Sequence, residues 1–334
     1  ANERILSTGG AGFIGSHLAD ALLARGYRVR VLDGLSRQVH ADAPGFPDYL
    51  DPHVEAVRGD IRSRHDLEAA LAGVDAVFHF AAAVGVARSM YEIERYTDVN
   101  NRGTAVLLET LLRRPVRKLV VASSMSIYGE GLYRARTGRL VSPRPRSPQQ
   151  LRSGRWEVLG EDGEPLEPVP TPETKIAMPE SIYALSKYGQ ERMCLLFGQA
   201  HGVPVVALRF FNVYGERQAL SNPYTGVLAI FAARYLNGRA PVIFEDGRQQ
   251  RDFVHVRDVA KGCVLALECE AARNDVFNLG SGSPCTILEA AERLGRILGR
   301  AHVQPEISGR YRTGDVRHCF ADISRARSVL GYTP

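Results

Sequence analysis

No run among the 334 residues approaches the roughly 18 uninterrupted apolar residues of a membrane span, so no membrane partner is expected. Nor does the chain open with a charged start, an apolar run and a small-residue cleavage site, and the expected location is cytoplasmic. Its five cysteines, Cys194, Cys263, Cys269, Cys285 and Cys319, are scattered, odd in number and without a CxxC pair. That excludes a disulfide framework and leaves no structural metal to expect. A net charge of +5 would tolerate nucleic acid, but Lys and Arg are spread along the chain without aromatic-basic interleaving. No nucleic-acid partner is expected, and bound anionic small molecules account for the excess.

What is present is a rhythm. "RILST" (4–8), "YRVRVLD" (27–33), "VEAVRGD" (54–60), "AVFHFAA" (76–82), "KLVVASS" (118–124) and "PVVALRFF" (204–211) read as strands. Between them, "SHLADALLARG", "RHDLEAALAG", "TAVLLETLLRR" and residues 181–202 carry apolar residues at helical spacing. Strands alternating with helices predict an α/β fold, a Rossmann-type doubly wound parallel sheet. Beyond residue 211 the rhythm gives way to loops and shorter elements. The expected organisation is a dinucleotide-binding domain over 1–210 and a smaller mixed α/β substrate domain over 211–334, interleaved with it. An insertion at about 131–168 holds seven arginines between Arg134 and Arg155, several prolines and the single tryptophan, Trp156. It reads either as a solvated, partly disordered loop or as a lid beside the site, and composition does not decide.

"TGGAGFIG" places Gly9, Gly12 and Gly15, with Phe13 and Ile14, between a strand and the opening of a helix. Glycine there lets the backbone turn tightly and approach a pyrophosphate, whose charge sits against the helix N-terminus. Asp33 ends the second strand, where a carboxylate accepts from both ribose hydroxyls and repels a 2′-phosphate, pointing to NAD over NADP. Asp60 and Ile61 follow the third strand, where Asp60 either meets the adenine edge or is an ordinary turn aspartate. The small residues Ala81, Ala82 and Ala83 leave backbone room for a cofactor or serve tight packing.

Tyr183 and Lys187 stand four apart and so share a helix face. An ammonium beside a tyrosine stabilises the phenolate and makes it a usable proton acceptor. Ser124, where "SSMSIYG" ends a central strand, could bond the same substrate oxygen.

Together these residues identify the sequence as similar to the extended short-chain dehydrogenase/reductase family, in its nucleotide-sugar epimerase/dehydratase branch. "TGGAGFIG", "FHFAA", "SSMSIYG", "YALSK", "LRFFNVYG", "GRQQRDFVHVRDV", "FNLGSG" and "YRTGDVRHCFAD" occur in the branch's order over nearly the whole chain. The resemblance implies Ser124, Tyr183 and Lys187 as catalytic residues, with Tyr183 as the acid/base. It implies NAD held by the glycine turn, Asp33, Asp60, Ile61, the 81–83 alanines, Tyr183 and Lys187, with Asn100 as a helper. A sugar diphosphate would meet Val84, Ser124, Met125, Ser126 and Asn212. Arg251 and Arg317 would clamp its phosphates, or else stand in surface ion pairs.

Members of the branch differ after oxidation at the sugar C4. A 4,6-dehydratase resembles this chain except for an Asp-Glu pair where Met125 and Ser126 stand. The sugar-acid decarboxylases carry a glutamate at Ser126, and the 3,5-epimerising reductases need a cysteine and histidine. The resemblance therefore implies an NDP-sugar 4-epimerase, most like those acting on dTDP-L-rhamnose, with a UDP-glucose or UDP-uronate 4-epimerase or a 4-ketoreductase as alternatives. A homodimer is expected on the same ground. One departure is Ser7, a hydroxyl where the family's first strand is aliphatic.

Overall fold

The computed structural model describes residues 2–41, 44–220 and 226–334. Its centre is a sheet of seven strands, β1 (Arg4–Thr8), β2 (Arg28–Asp33), β3 (Glu55–Arg58), β4 (Ala76–His79), β5 (Lys118–Ser124), β6 (Val205–Phe210) and β7 (Asp275–Leu279). They lie in the order β7-β6-β5-β4-β1-β2-β3, and every pairing is parallel. This is the doubly wound sheet that the alternation predicts.

Both faces of the sheet are covered, which explains the nearly continuous apolar strands. Along β5, Leu119 and Val121 point to one core with α2 (Arg64–Ala70), α3 (Gly103–Arg113) and α4 (Ile182–His201). Val120 and Ala122 point to the other, with α1 (Phe13–Ala24) and α5 (Val256–Glu268). Full burial of each such side chain contributes roughly 1.5–3 kcal/mol. The 20-residue α4 starts where Ser181 Oγ accepts from the Ala184 N–H at 3.0 Å, and it stops at Gly202 in the left-handed conformation, φ +69°.

Two expectations need correction. The chain beyond 211 is not only loops and short elements, because α5 and β7 return to the large sheet, β7 pairing with β6 over five residues. Nor is the arginine-rich insertion a partly disordered loop. Leu132–Arg134 pairs antiparallel with both Leu140–Val141 and Glu167–Val169, and Tyr133, Val158 and Leu166 close a small core of their own. The remaining C-terminal segments form small sheets and the helices Val227–Leu236 and Ile287–Ile297, set beside the C-terminal ends of the large sheet's strands.

Candidate active site

At those strand ends lies a cavity of about 860 Å³, lined from the β1–α1 turn at one end to Tyr183 and Phe253 at the other. The turn is built from bare backbone. Gly9 has φ +67°, and a Cβ on it would meet the Ala81 backbone at 2.8 Å. Gly12 is the N-cap of α1 with no side chain bonded to the helix's first N–H groups, and no acid stands in the first turn. Those free N–H groups, with the helix dipole, suit a phosphate. Asp33 closes the adjoining wall, its carboxylate accepting from the Ala11 N–H at 3.0 Å and the Leu35 N–H at 2.8 Å. Asp60 lines the same end, where hydrogen bonds from Arg62 hold its carboxyl below the usual range.

At the other end Tyr183 and Lys187 project from the first turns of α4. Burial pushes Tyr183 up to about 12, against a hydrogen bond with Ser124 that lowers it. Burial pushes the Lys187 ammonium down to about 8, with Cys194 and Glu191 opposing. Beneath them His79 is neutral, driven to about 3 by burial and by the Lys187 charge, and is pinned between Thr8 Oγ1 and Thr104 Oγ1, each at 2.8 Å. The helix start is fixed from outside α4 as well, since Ser89 Oγ accepts from the Tyr183 N–H at 2.9 Å.

The cavity wall brings together Gly9, Gly12, Phe13, Ile14, Gly15, Asp33, Asp60, Ile61, Ala81, Ala82, Ala83, Val84, Ser124, Met125, Ser126, Tyr183, Lys187 and Asn212. Three residues expected there stand elsewhere. Asn100 is fully buried behind the wall, exchanging hydrogen bonds with the Ala83 backbone at 2.7 and 3.0 Å and donating to Ser186 Oγ at 2.9 Å. It positions the alanine loop and α4 without reaching the cavity. Arg251 turns away, donating to the carbonyls of Gln250, Val316 and Arg317.

Arg317 is the clearest reassignment. Its side chain is sealed from solvent and paired with Glu157, Glu245 and Asp246. A guanidinium with three carboxylates around it has no donor left for a diphosphate. Arg146 completes the cluster with two bonds to Glu245, at 3.0 and 2.8 Å. The insertion, through Arg146 and Glu157, is thus an ionic clasp on the C-terminal segments. None of its residues lines the cavity, so the lid reading fails too.

Sequence reasoning missed further wall residues, among them Tyr49, Arg62 and Arg217 in turns, Arg95 on the short helix Ile93–Tyr96 and Tyr214 on the strand Asn212–Tyr214. Arg217 lies two residues past the "LRFFNVYG" motif, but its φ of +69° and its 2.8 Å pair with Asp20 have no local signal.

A dinucleotide-sized cleft running from a glycine turn and an acidic strand end to a tyrosine-lysine pair restricts the family closely. Residues 5–152 and 153–280 match the NAD dependent epimerase/dehydratase family. The chain belongs to that family. It is 34% identical to the dTDP-L-rhamnose 4-epimerase of Burkholderia thailandensis, covering 99% of this chain and 91% of that one. The UDP-glucose 4-epimerase of Thermotoga maritima, solved with UDP-glucose, superposes with a TM-score of 0.81 at 34% identity, covering 99% and 93% of the two chains. The UDP-glucose 4-epimerase of Thermus thermophilus, solved with NAD, gives 0.76 at 32% identity, covering 99% and 94%. The family's cofactor is NAD, and this chain's free α1 N–H groups and Asp33 fit it. No helix of the described residues is long and apolar enough to cross a membrane.

Proposed function

We propose that this member of the family is an NDP-sugar 4-epimerase, acting on dTDP-L-rhamnose. One observation carries the choice of reaction. Among the described residues of the cavity wall the only carboxylates are Asp33 and Asp60, both at the glycine-turn end, and there is no cysteine. Beside Ser124 stand Met125 and Ser126, which cannot serve as the acid and base of a dehydration. Tyr183 is left as the proton-transfer group, and a reversible oxidation at C4 needs no other.

NAD, when bound, supplies a reversible hydride acceptor. The chain's own residues do the rest. Ser124 and Tyr183 hold the C4 oxygen, the Tyr183 phenolate takes its proton as the alcohol becomes a ketone, and Lys187 supports the phenolate. Asn212, whose Oδ1 is buried without a partner, is suited to accept from the substrate. The 4-keto sugar turns in the cavity, and Tyr183 returns the proton as C4 is reduced from its other face.

The choice of dTDP-L-rhamnose is supported by the Burkholderia relative, and UDP-glucose, as in the Thermotoga enzyme, is the second reading. Incubating the NAD-loaded enzyme with a panel of dTDP- and UDP-sugars and reading C4 by NMR tests it. The expected result is interconversion of dTDP-L-rhamnose with its talo epimer and no net change in NADH. Loss of water from the sugar, or NADH consumed in step with it, would overturn the proposal. Residues 1–210 would bind NAD and carry Ser124, Tyr183 and Lys187, and residues 211–334 would bind the nucleotide-sugar side of the same cavity. A homodimer through α3 and α4, which leave Leu112, Leu185 and Leu196 exposed, goes with this reading, and light scattering checks it.

A further inference from the structure

Beyond the strand Asn212–Tyr214 the chain is held against α1, at the glycine-turn end of the cavity. His17 Nε2, on that helix, donates to the Glu216 carbonyl at 2.9 Å. Arg217 comes next, and its Nη2 pairs at 2.8 Å with Asp20, about one turn further along α1. The same guanidinium lies over Tyr49, 5.4 Å from the ring centre. Tyr49 in turn donates to the Ala11 carbonyl, inside the glycine turn, at 3.0 Å. Asp33 and Arg217 both stand close enough to act on the Tyr49 hydroxyl, in opposite senses. Arg217 is therefore a cation in the wall beside the turn whose free N–H groups suit a phosphate.

Two features of Arg217 are not explained by these contacts. Its backbone is left-handed, φ +69°, a conformation that costs a residue with a Cβ and that gathers at functional sites. Its Nη1 is buried and has no hydrogen-bond partner among the described residues. Burying a guanidinium nitrogen unpaired is costly, and the fork of donors matches phosphate oxygens. The Asp20 pair occupies Nη2 and leaves Nη1 unused. Glu216, the adjacent acid, faces His255 and Arg257 instead, at 3.5 and 3.2 Å. Arg217 thus differs from Arg317, which three carboxylates surround.

We propose that Arg217 is a diphosphate-binding residue, its Nη1 donating to a phosphate oxygen of the molecule that fills the cavity. Two diphosphates enter such a cavity, that of NAD and that of a nucleotide sugar. The ties to α1 and, through Tyr49, to Ala11 assign the contact to the NAD pyrophosphate. A residue from the C-terminal segment then helps to retain the cofactor bound by the N-terminal one.

The experiment titrates the full chain, freed of NAD, with NAD, ADP and adenosine. Arg217→Ala should weaken NAD and ADP roughly tenfold and leave adenosine unchanged, because only the first two carry phosphate. Arg217→Gly, which suits the left-handed backbone, gives a second guanidinium-free variant if the alanine form fails to fold. Equal weakening of ADP and adenosine would mean a merely structural role and overturns the proposal, as does no weakening of any ligand. Unchanged NAD affinity with a raised KM for the nucleotide sugar overturns the assignment to NAD and moves the contact to the sugar's diphosphate. The titration needs no sugar, so its outcome is independent of the 4-epimerase reading.

Discussion

Arg317 Nη1 lies 3.0 Å from Glu245 Oε2, and both side chains are almost wholly sealed from water. Removing one partner of such a cluster leaves buried carboxylates uncompensated, which costs about 3–5 kcal/mol. Arg317→Ala should therefore lower the urea midpoint severely, with any loss of sugar affinity secondary. A variant of normal stability whose only defect is a raised KM would return Arg317 to the diphosphate.

Glu157 ties the insertion to the same cluster. Burial pushes its carboxyl up, but hydrogen bonds from His318 and Arg317 outweigh it and hold it at about 2. Its contribution to stability is thus complete above the ordinary glutamate value of 4.5 and lost as pH falls through about 2. Limited proteolysis should cut the insertion with rising rate across that acid window. Glu157→Gln should show the same susceptibility at neutral pH, and equal resistance of both proteins would disprove the clasp.

Lys187 also makes stability rise with pH, but through burial of its charge rather than through partners that hold it. The unfolded chain holds this proton to about 10.5 and the fold only to about 8, so the unfolded state binds more protons between those values. The cofactor-free fold should gain stability as pH rises through that interval, on the order of 3 kcal/mol. Lys187→Met should abolish the gain, as measured by denaturant unfolding at both ends of the interval. In loaded enzyme the same change should cut turnover by roughly 100-fold or more and weaken NAD retention. Normal turnover with full cofactor would remove Lys187 from the site.

Ser7 is fully buried in β1, and its Oγ has no hydrogen-bond partner. Leaving a hydroxyl so costs about 1 kcal/mol or more. Ser7→Ala should raise the denaturation midpoint with no change in kinetics. A destabilised Ser7→Ala protein would mean that the hydroxyl is used.

Local pattern carried much of the reading. The short apolar, β-branched run in "KLVVASS" read as a buried strand ending at Ser124, because such a run is recognised without knowledge of the partner strands. Tyr183 and Lys187 share a face by helix geometry alone, and the bare Gly9 and Gly12 declare a turn into α1. The acid missing at Met125 and Ser126 is likewise a fact of sequence.

Only the tertiary structure decided the rest, because its partners lie far apart along the chain. Arg317 looked available until Glu157, 160 residues away, and Asp246, 71 residues away, closed on it. The "DVFNL" run of β7 has the same local look as a strand of a small domain, yet it pairs with β6 in the large sheet. The arginines of the insertion read as solvated surface, but one of them, Arg146, is buried against Glu245, 99 residues on. Periodicity reports which face of an element is apolar. Which charge neutralises a buried guanidinium depends on how distant segments pack, and the sequence alone holds no local record of that.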